Sequence, residues 1–146
     1  MKDNYVLDTN SLISYFRDIF KVSSTISQQA LNIIDDAFNN SKYKIIIPSI
    51  VFIELFKKWY KDEEFLAKIR YDIFQFLRDK ENIAILGIDR EVLENLILLN
   101  NIQFNFDNHD KLILATAMVY QYSLISSDGR IAAYNNTNKV IPAIIS

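Results

Sequence analysis

The chain has 146 residues, half of them apolar and 13% aromatic, with a formal net charge of −2. That composition suits one globular domain over 1–146 with a sizeable core, and it excludes a protein that holds nucleic acid through general positive charge. With no cysteine, one histidine (His109) and two glycines (Gly87, Gly129), it also excludes disulfides, thiolate or multi-histidine metal centres, P-loops and GxGxxG nucleotide sites.

Few glycines and prolines mean few tight hairpins. Short apolar runs alternate with longer helical patterns, which predicts βα units and a parallel sheet. Tyr5-Val6-Leu7 reads as the first and central strand, ending on Asp8. A short helix over Ser11 to Phe16 follows. Ser27 is placed to cap a helix in which Ala30, Leu31, Ile34, Ala37 and Phe38 fall at helical spacing. Lys44 to Ile47 is the second strand; Pro48 breaks it, and Ser49 to Lys61 reads as a helix. Phe65, Ile69, Ile73, Phe76 and Leu77 form the stripe of another. Ile83 to Gly87 is the third strand, and Asp89 is suited to cap a helix through Leu99. An Asn-rich connection, Asn100 to Asn108, carries Phe104 and Phe106. Asp110 opens a helix to about Tyr120. Ser123 to Ser126 is the fourth strand, Asp128-Gly129 starts a short helical turn, Asn135-Asn136-Thr137-Asn138 reads as a loop, and Val140 to Ile145 as the last strand. No apolar run approaches the roughly 18 residues of a membrane span, and the start, Met-Lys-Asp-Asn, has no apolar signal core, so a cytoplasmic location is expected.

Without Cys or clustered His, any catalysis falls to carboxylates, hydroxyls, amides and Lys/Arg, a donor set that suits hard cations such as Mg²⁺ or Mn²⁺. Four acids stand out. Asp8 follows a strand, where it could simply cap the next helix, although Thr9 and Asn10 could do the same. Glu54 sits among apolar residues, but it also shares a helical face with Lys57, Lys58 and Lys61. Asp110 suits the first turn of a helix on dipole grounds alone, as does the weaker candidate Asp107. Asp128 belongs to an ordinary Asp-Gly turn signal. His109 reads as a loop or capping residue. Jointly the acids say more. The carboxyl ends of parallel strands share one edge, which collects Asp8 and Asp128, and a helix starting there brings Glu54 close. Asp110 does not follow: its helix precedes a strand, and its start is expected at the opposite edge.

Val6-Leu7-Asp8-Thr9-Asn10 resembles the opening motif of PIN-domain nucleases. Ile47-Pro48-Ser49 through Glu54 resembles their second motif, Asp107-Asn108-His109-Asp110-Lys111 through Ala117 their third, and Leu124-Ile125-Ser126-Ser127-Asp128 their fourth. The four occur in order over nearly the whole chain, at a length similar to that of VapC-type toxins of toxin–antitoxin pairs. Three positions depart from the pattern: Lys111 stands for a usual Arg, Asn108 for a common Pro, and Ser126 for a frequent Thr.

The resemblance implies a three-layer α/β/α sandwich with a roughly five-stranded parallel sheet. It places Asp110 in the same cluster as Asp8, Glu54 and Asp128, around Mg²⁺ or Mn²⁺, as a metal-dependent endoribonuclease. Asp8, Asp110 and Asp128 are then the main metal ligands, Glu54 binds directly or through water, and Asn10 and Ser126 support the site or contact phosphate. It further implies an RNA substrate, a cognate antitoxin and a homodimer. Trp59, Tyr60, Phe65 and Tyr71 suit a partner surface or the core. Two other classes remain open: an aspartyl-nucleophile phosphotransferase, disfavoured because position 10 is Asn10 and not Asp, and a non-catalytic scaffold of the same fold that binds RNA or protein.

Overall fold

The computed structural model describes residues 3–99 and 107–146. The expected connection carrying Phe104 and Phe106 lies mostly outside the described residues. Five parallel strands pair in the order β3-β2-β1-β4-β5: β1 (Asn4–Leu7), β2 (Lys44–Pro48), β3 (Ile83–Leu86), β4 (Ser123–Ile125) and β5 (Ile144–Ile145). The central strands read as unbroken apolar runs because both faces are covered: Val6, Leu7, Ile45, Ile47, Leu124 and Ile125 are all buried.

Nine helices appear among the described residues: α1 (Thr9–Tyr15), α2 (Arg17–Phe20), α3 (Gln28–Asn40), α4 (Ser49–Trp59), α5 (Glu63–Lys68), α6 (Gln75–Arg78), α7 (Arg90–Leu99), α8 (Asn108–Tyr120) and α9 (Gly129–Asn138). Ser27 caps α3 by accepting from the Ala30 amide at 3.1 Å, and Asp89 caps α7 by accepting from Val92 at 3.0 Å. With so few glycines, α2, α3, α8 and α9 close on Lys21, Ser41, Gln121 and Lys139, all left-handed at φ 50–55°.

Strand order decides where a site can form. β2 and β3 extend the sheet on one side of β1, and β4 and β5 extend it on the other. The order reverses between β1 and β4, so a crevice opens beyond their carboxyl ends, which are the positions of Asp8 and Asp128.

Several expectations are corrected. The start of α8 does not lie at the far edge. A 13-residue helix spans about 20 Å, and α8 ends at Tyr120, just before β4 begins at Ser123. It therefore runs back along the sheet, and Asp110 sits at the carboxyl edge. The stretch after Asp128 is no short turn with an Asn loop, because α9 runs to Asn138. The last strand shrinks to Ile144–Ile145, since Pro142 has no amide for a ladder. The Phe65–Leu77 stripe lies on α5, a π-helical turn (Ile69–Phe74) and α6. Residues spaced by four drift about 40° per step on an α-helix. The wider turn takes up this drift and keeps Ile69, Ile73 and Leu77 buried. Trp59 and Phe65 stack on each other with centroids 4.6 Å apart and pack on Phe20, whereas Tyr60 and Tyr71 are exposed.

The core depends on the inner strands. Leu124 on β4 is fully buried between its neighbours. Leu124→Ala is expected to cost about 2–5 kcal/mol, read as a lower urea midpoint with an unchanged slope.

Candidate active site

The site begins where β1 stops. Asp8 leaves the strand in extended backbone and caps α1, its Oδ1 accepting from the Ser11 amide at 2.8 Å. The Ser11 hydroxyl donates to the Ile125 carbonyl at 2.7 Å, and the Asp8 amide donates to the same carbonyl at 3.3 Å. The ends of β1 and β4 are thus bolted together. Ser126, 1% exposed, hydrogen bonds to the Asp8 carboxyl, and its Oγ accepts from the Asp128 amide at 3.1 Å. Asp8 is itself 7% exposed. Burial pushes its carboxyl up, the hydrogen bonds from Ser11 and Ser126 oppose that rise, and the charge of Asp128 adds to it.

Asp128 caps α9 by accepting from the Arg130 amide at 2.9 Å. The Arg130 side chain turns back onto it as a fork, with Nε 3.2 Å from Oδ1 and Nη2 2.9 Å from Oδ2. That guanidinium holds the Asp128 carboxyl below the usual carboxylate range. The same Nη2 lies 3.6 Å from Asp110 Oδ2.

Asp110 stands in the first turn of α8, its amide donating to the cap Asp107 at 2.9 Å. Burial first, then the charges of Asp107, Asp128 and Glu54, push its carboxyl up to about 6, and Arg130 offsets part of the rise. Glu54, in the second turn of α4, accepts from the Thr9 hydroxyl at 2.7 Å. His109 Nδ1 lies 3.9 Å from the other Glu54 oxygen.

The structure therefore brings Asp8, Glu54, Asp110 and Asp128 to one edge of the sheet, together with Ser126. Asn10 is exposed in the first turn of α1. Asp107 is an exposed helix cap. Asp8 makes the helix cap that its position suggested, and Thr9 serves Glu54. His109 does more than the loop role expected, because it faces Glu54. Sequence reasoning weighed Thr9 only as a cap and passed over Ser11 and Arg130 as site residues. Thr9 and Ser11 lie one and three residues after Asp8 and could have been noticed as hydroxyls at a strand end. Arg130 carries no motif. Among the described residues, no three His, Asp or Glu side chains converge closely enough to hold a metal ion as they stand, and the Arg130 guanidinium lies between two of the acids.

A family model described as PIN domain matches residues 5–138. No curated protein matches the sequence. Solved structures resemble the fold at low identity. VapBC2 from Rickettsia felis, bound to a DNA fragment from its promoter, has a TM-score of 0.64 at 16% identity, covering 96% of each chain. FitAcB from Neisseria gonorrhoeae has a TM-score of 0.68 at 16% identity, covering 97% of this chain and 96% of that one. A toxin-antitoxin complex from Klebsiella pneumoniae has a TM-score of 0.57 at 19% identity, covering 98% and 97%. No described helix is long and apolar enough to cross a membrane.

Proposed function

We propose, because the chain belongs to the PIN-domain family, that it is a metal-dependent endoribonuclease and the toxin of a toxin–antitoxin pair. The observation that carries this reading is the gathering of Asp8, Glu54, Asp110 and Asp128 at one edge beyond the switch point of the sheet, with Asp110 raised to about 6 by its burial and then by its acidic neighbours. Two features support a cation there. The donors are all oxygens, which suits Mg²⁺ or Mn²⁺. A guanidinium already sits between Asp110 and Asp128.

In this reading Asp8, Asp110 and Asp128 hold the ion, and Glu54 joins directly or through water. When bound, the ion supplies Lewis acidity at a phosphodiester and a water of lowered pKa for in-line hydrolysis. The chain does the positioning. Ser126 and Ser11 fix the Asp8 carboxyl, Thr9 fixes Glu54, and the exposed Asn10 is available to a substrate phosphate. The likeness to toxin–antitoxin complexes supports an antitoxin partner, which would reach the cleft with a helix or extended arm; the chain itself would pair with a second copy.

The test is induced expression in a bacterial host, with 5′-end mapping of total RNA. Wild type is expected to arrest growth and to leave new RNA ends, and Asp8→Asn to do neither. Continued growth with intact RNA would contradict the toxin reading. Arrest by both proteins without cleavage would favour a binding scaffold.

A further inference from the structure

We infer that Arg130 is a tethered cation that occupies the acidic site of the metal-free chain and must leave for a divalent ion to seat. The inference rests on the metal-site reading above and adds a competitor from within the chain. Its basis is geometric. Arg130 makes a two-pronged contact to Asp128, at 3.2 and 2.9 Å, while one prong also reaches Asp110 at 3.6 Å. It thus bridges two of the expected ligands.

Forked guanidinium–carboxylate contacts are among the stronger charge-assisted hydrogen bonds, and they take up the carboxylate oxygens that an ion would need. Closure is easy because only Gly129 separates Arg130 from Asp128. The Arg130 side chain is 60% exposed, against 24% for Asp128 and 25% for Asp110. The arginine thus meets the site from its solvent side, whereas the two acids are largely covered. With the guanidinium in the cleft, the acids are arranged around a flat single charge and not around a compact double one.

Competition of this kind lowers the apparent affinity for metal by the fraction of chains in which Arg130 is away from the acids. It also neutralises the acids when metal is scarce, which protects the metal-free fold from their repulsion.

The experiment is calorimetric titration of Mn²⁺ into wild type, Arg130→Gln and Arg130→Lys. Gln keeps a polar side chain without charge; Lys keeps the charge without the fork. Arg130→Gln is expected to bind Mn²⁺ about three- to tenfold more tightly than wild type, with Lys in between. In EDTA, Arg130→Gln is expected to melt below wild type, with the gap closing at saturating Mn²⁺. A second readout needs no variant. The ¹⁵Nε–¹H signal of Arg130 is expected to shift during a Mg²⁺ titration with the midpoint of binding. Equal or weaker Mn²⁺ binding by Arg130→Gln, or an Arg130 signal indifferent to Mg²⁺, overturns the inference alone. No ion binding by any of the three proteins overturns the metal-site reading, and the inference with it.

Discussion

Asp110→Asn is expected to strengthen the metal-free fold while removing metal-dependent cleavage. The carboxyl of Asp110 is raised from 3.8 to about 6, so at pH 7 it is ionised against its surroundings. A rise of that size corresponds to about 3 kcal/mol at most. The group is only half-buried, and solvent screening reduces the recoverable part to about 1–2 kcal/mol. For a chain of this length that is about 3–6 °C in melting temperature, measured in EDTA at neutral pH. Asn keeps the shape and the α8 turn while removing the charge that Asp107, Asp128 and Glu54 oppose. Cleavage should move the other way. Loss of a residue that merely supports a ligand costs about 10–100-fold in metal affinity or activity, so loss of Asp110, a ligand in the proposed reading, should cost at least about 100-fold. A variant that is both active and unstable would contradict the assignment on both counts.

The second large effect joins metal and pH. A carboxyl raised in the folded state favours folding while it is protonated. Its contribution is fully present below the ordinary carboxylate value and is lost as pH rises through about 6. In EDTA, Asp110 therefore makes the protein less stable as pH climbs from about 4 to about 6. Asp8 is shifted in the same direction and adds to this. Asp128 is lowered by Arg130 and works in reverse: its contribution is present above the ordinary carboxylate value and is lost on acidification. Asp110→Asn should flatten the slope over that window and leave the acid limb. Mn²⁺ at a hundredfold excess over its Kd should add about 2.7 kcal/mol at pH 7, or about 5–10 °C. The gain should fade below about pH 5, because protons and metal compete for the same oxygens. An equal gain at pH 5 and pH 7 would mean that the ion binds elsewhere.

Much of this architecture was legible in the chain itself, for physical reasons. Tyr5-Val6-Leu7 and Ile45-Ile46-Ile47 are unbroken apolar runs because parallel strands are covered on both faces, and Asp8 ends the first of them. Ser27 and Asp89 were readable as caps because short oxygen side chains satisfy the free amides of a first helical turn.

What was illegible depended on tertiary contacts. Asn135 is a poor helix former, yet it is buried within α9. Its side chain donates to the Ile141 carbonyl at 3.2 Å and accepts from the Ile141 amide at 3.1 Å, tying the helix to the segment before β5. That tie outweighs the local preference of Asn-Asn-Thr-Asn for a loop. The edge on which Asp110 lies follows from the direction of α8, so the sequence expectation failed on helix direction and not on chemistry. Arg130 is an exposed residue that nothing in the linear pattern singles out; its meaning comes from facing two acids at once.

If these four acids form one metal-dependent site for RNA hydrolysis, purified protein incubated with end-labelled structured RNA in EDTA, Mg²⁺ or Mn²⁺, beside Asp8→Asn, will reveal it. Wild type is expected to cleave at discrete positions with either ion and not in EDTA, and the variant not at all. Cleavage that persists in EDTA, or full cleavage by Asp8→Asn, would contradict that site.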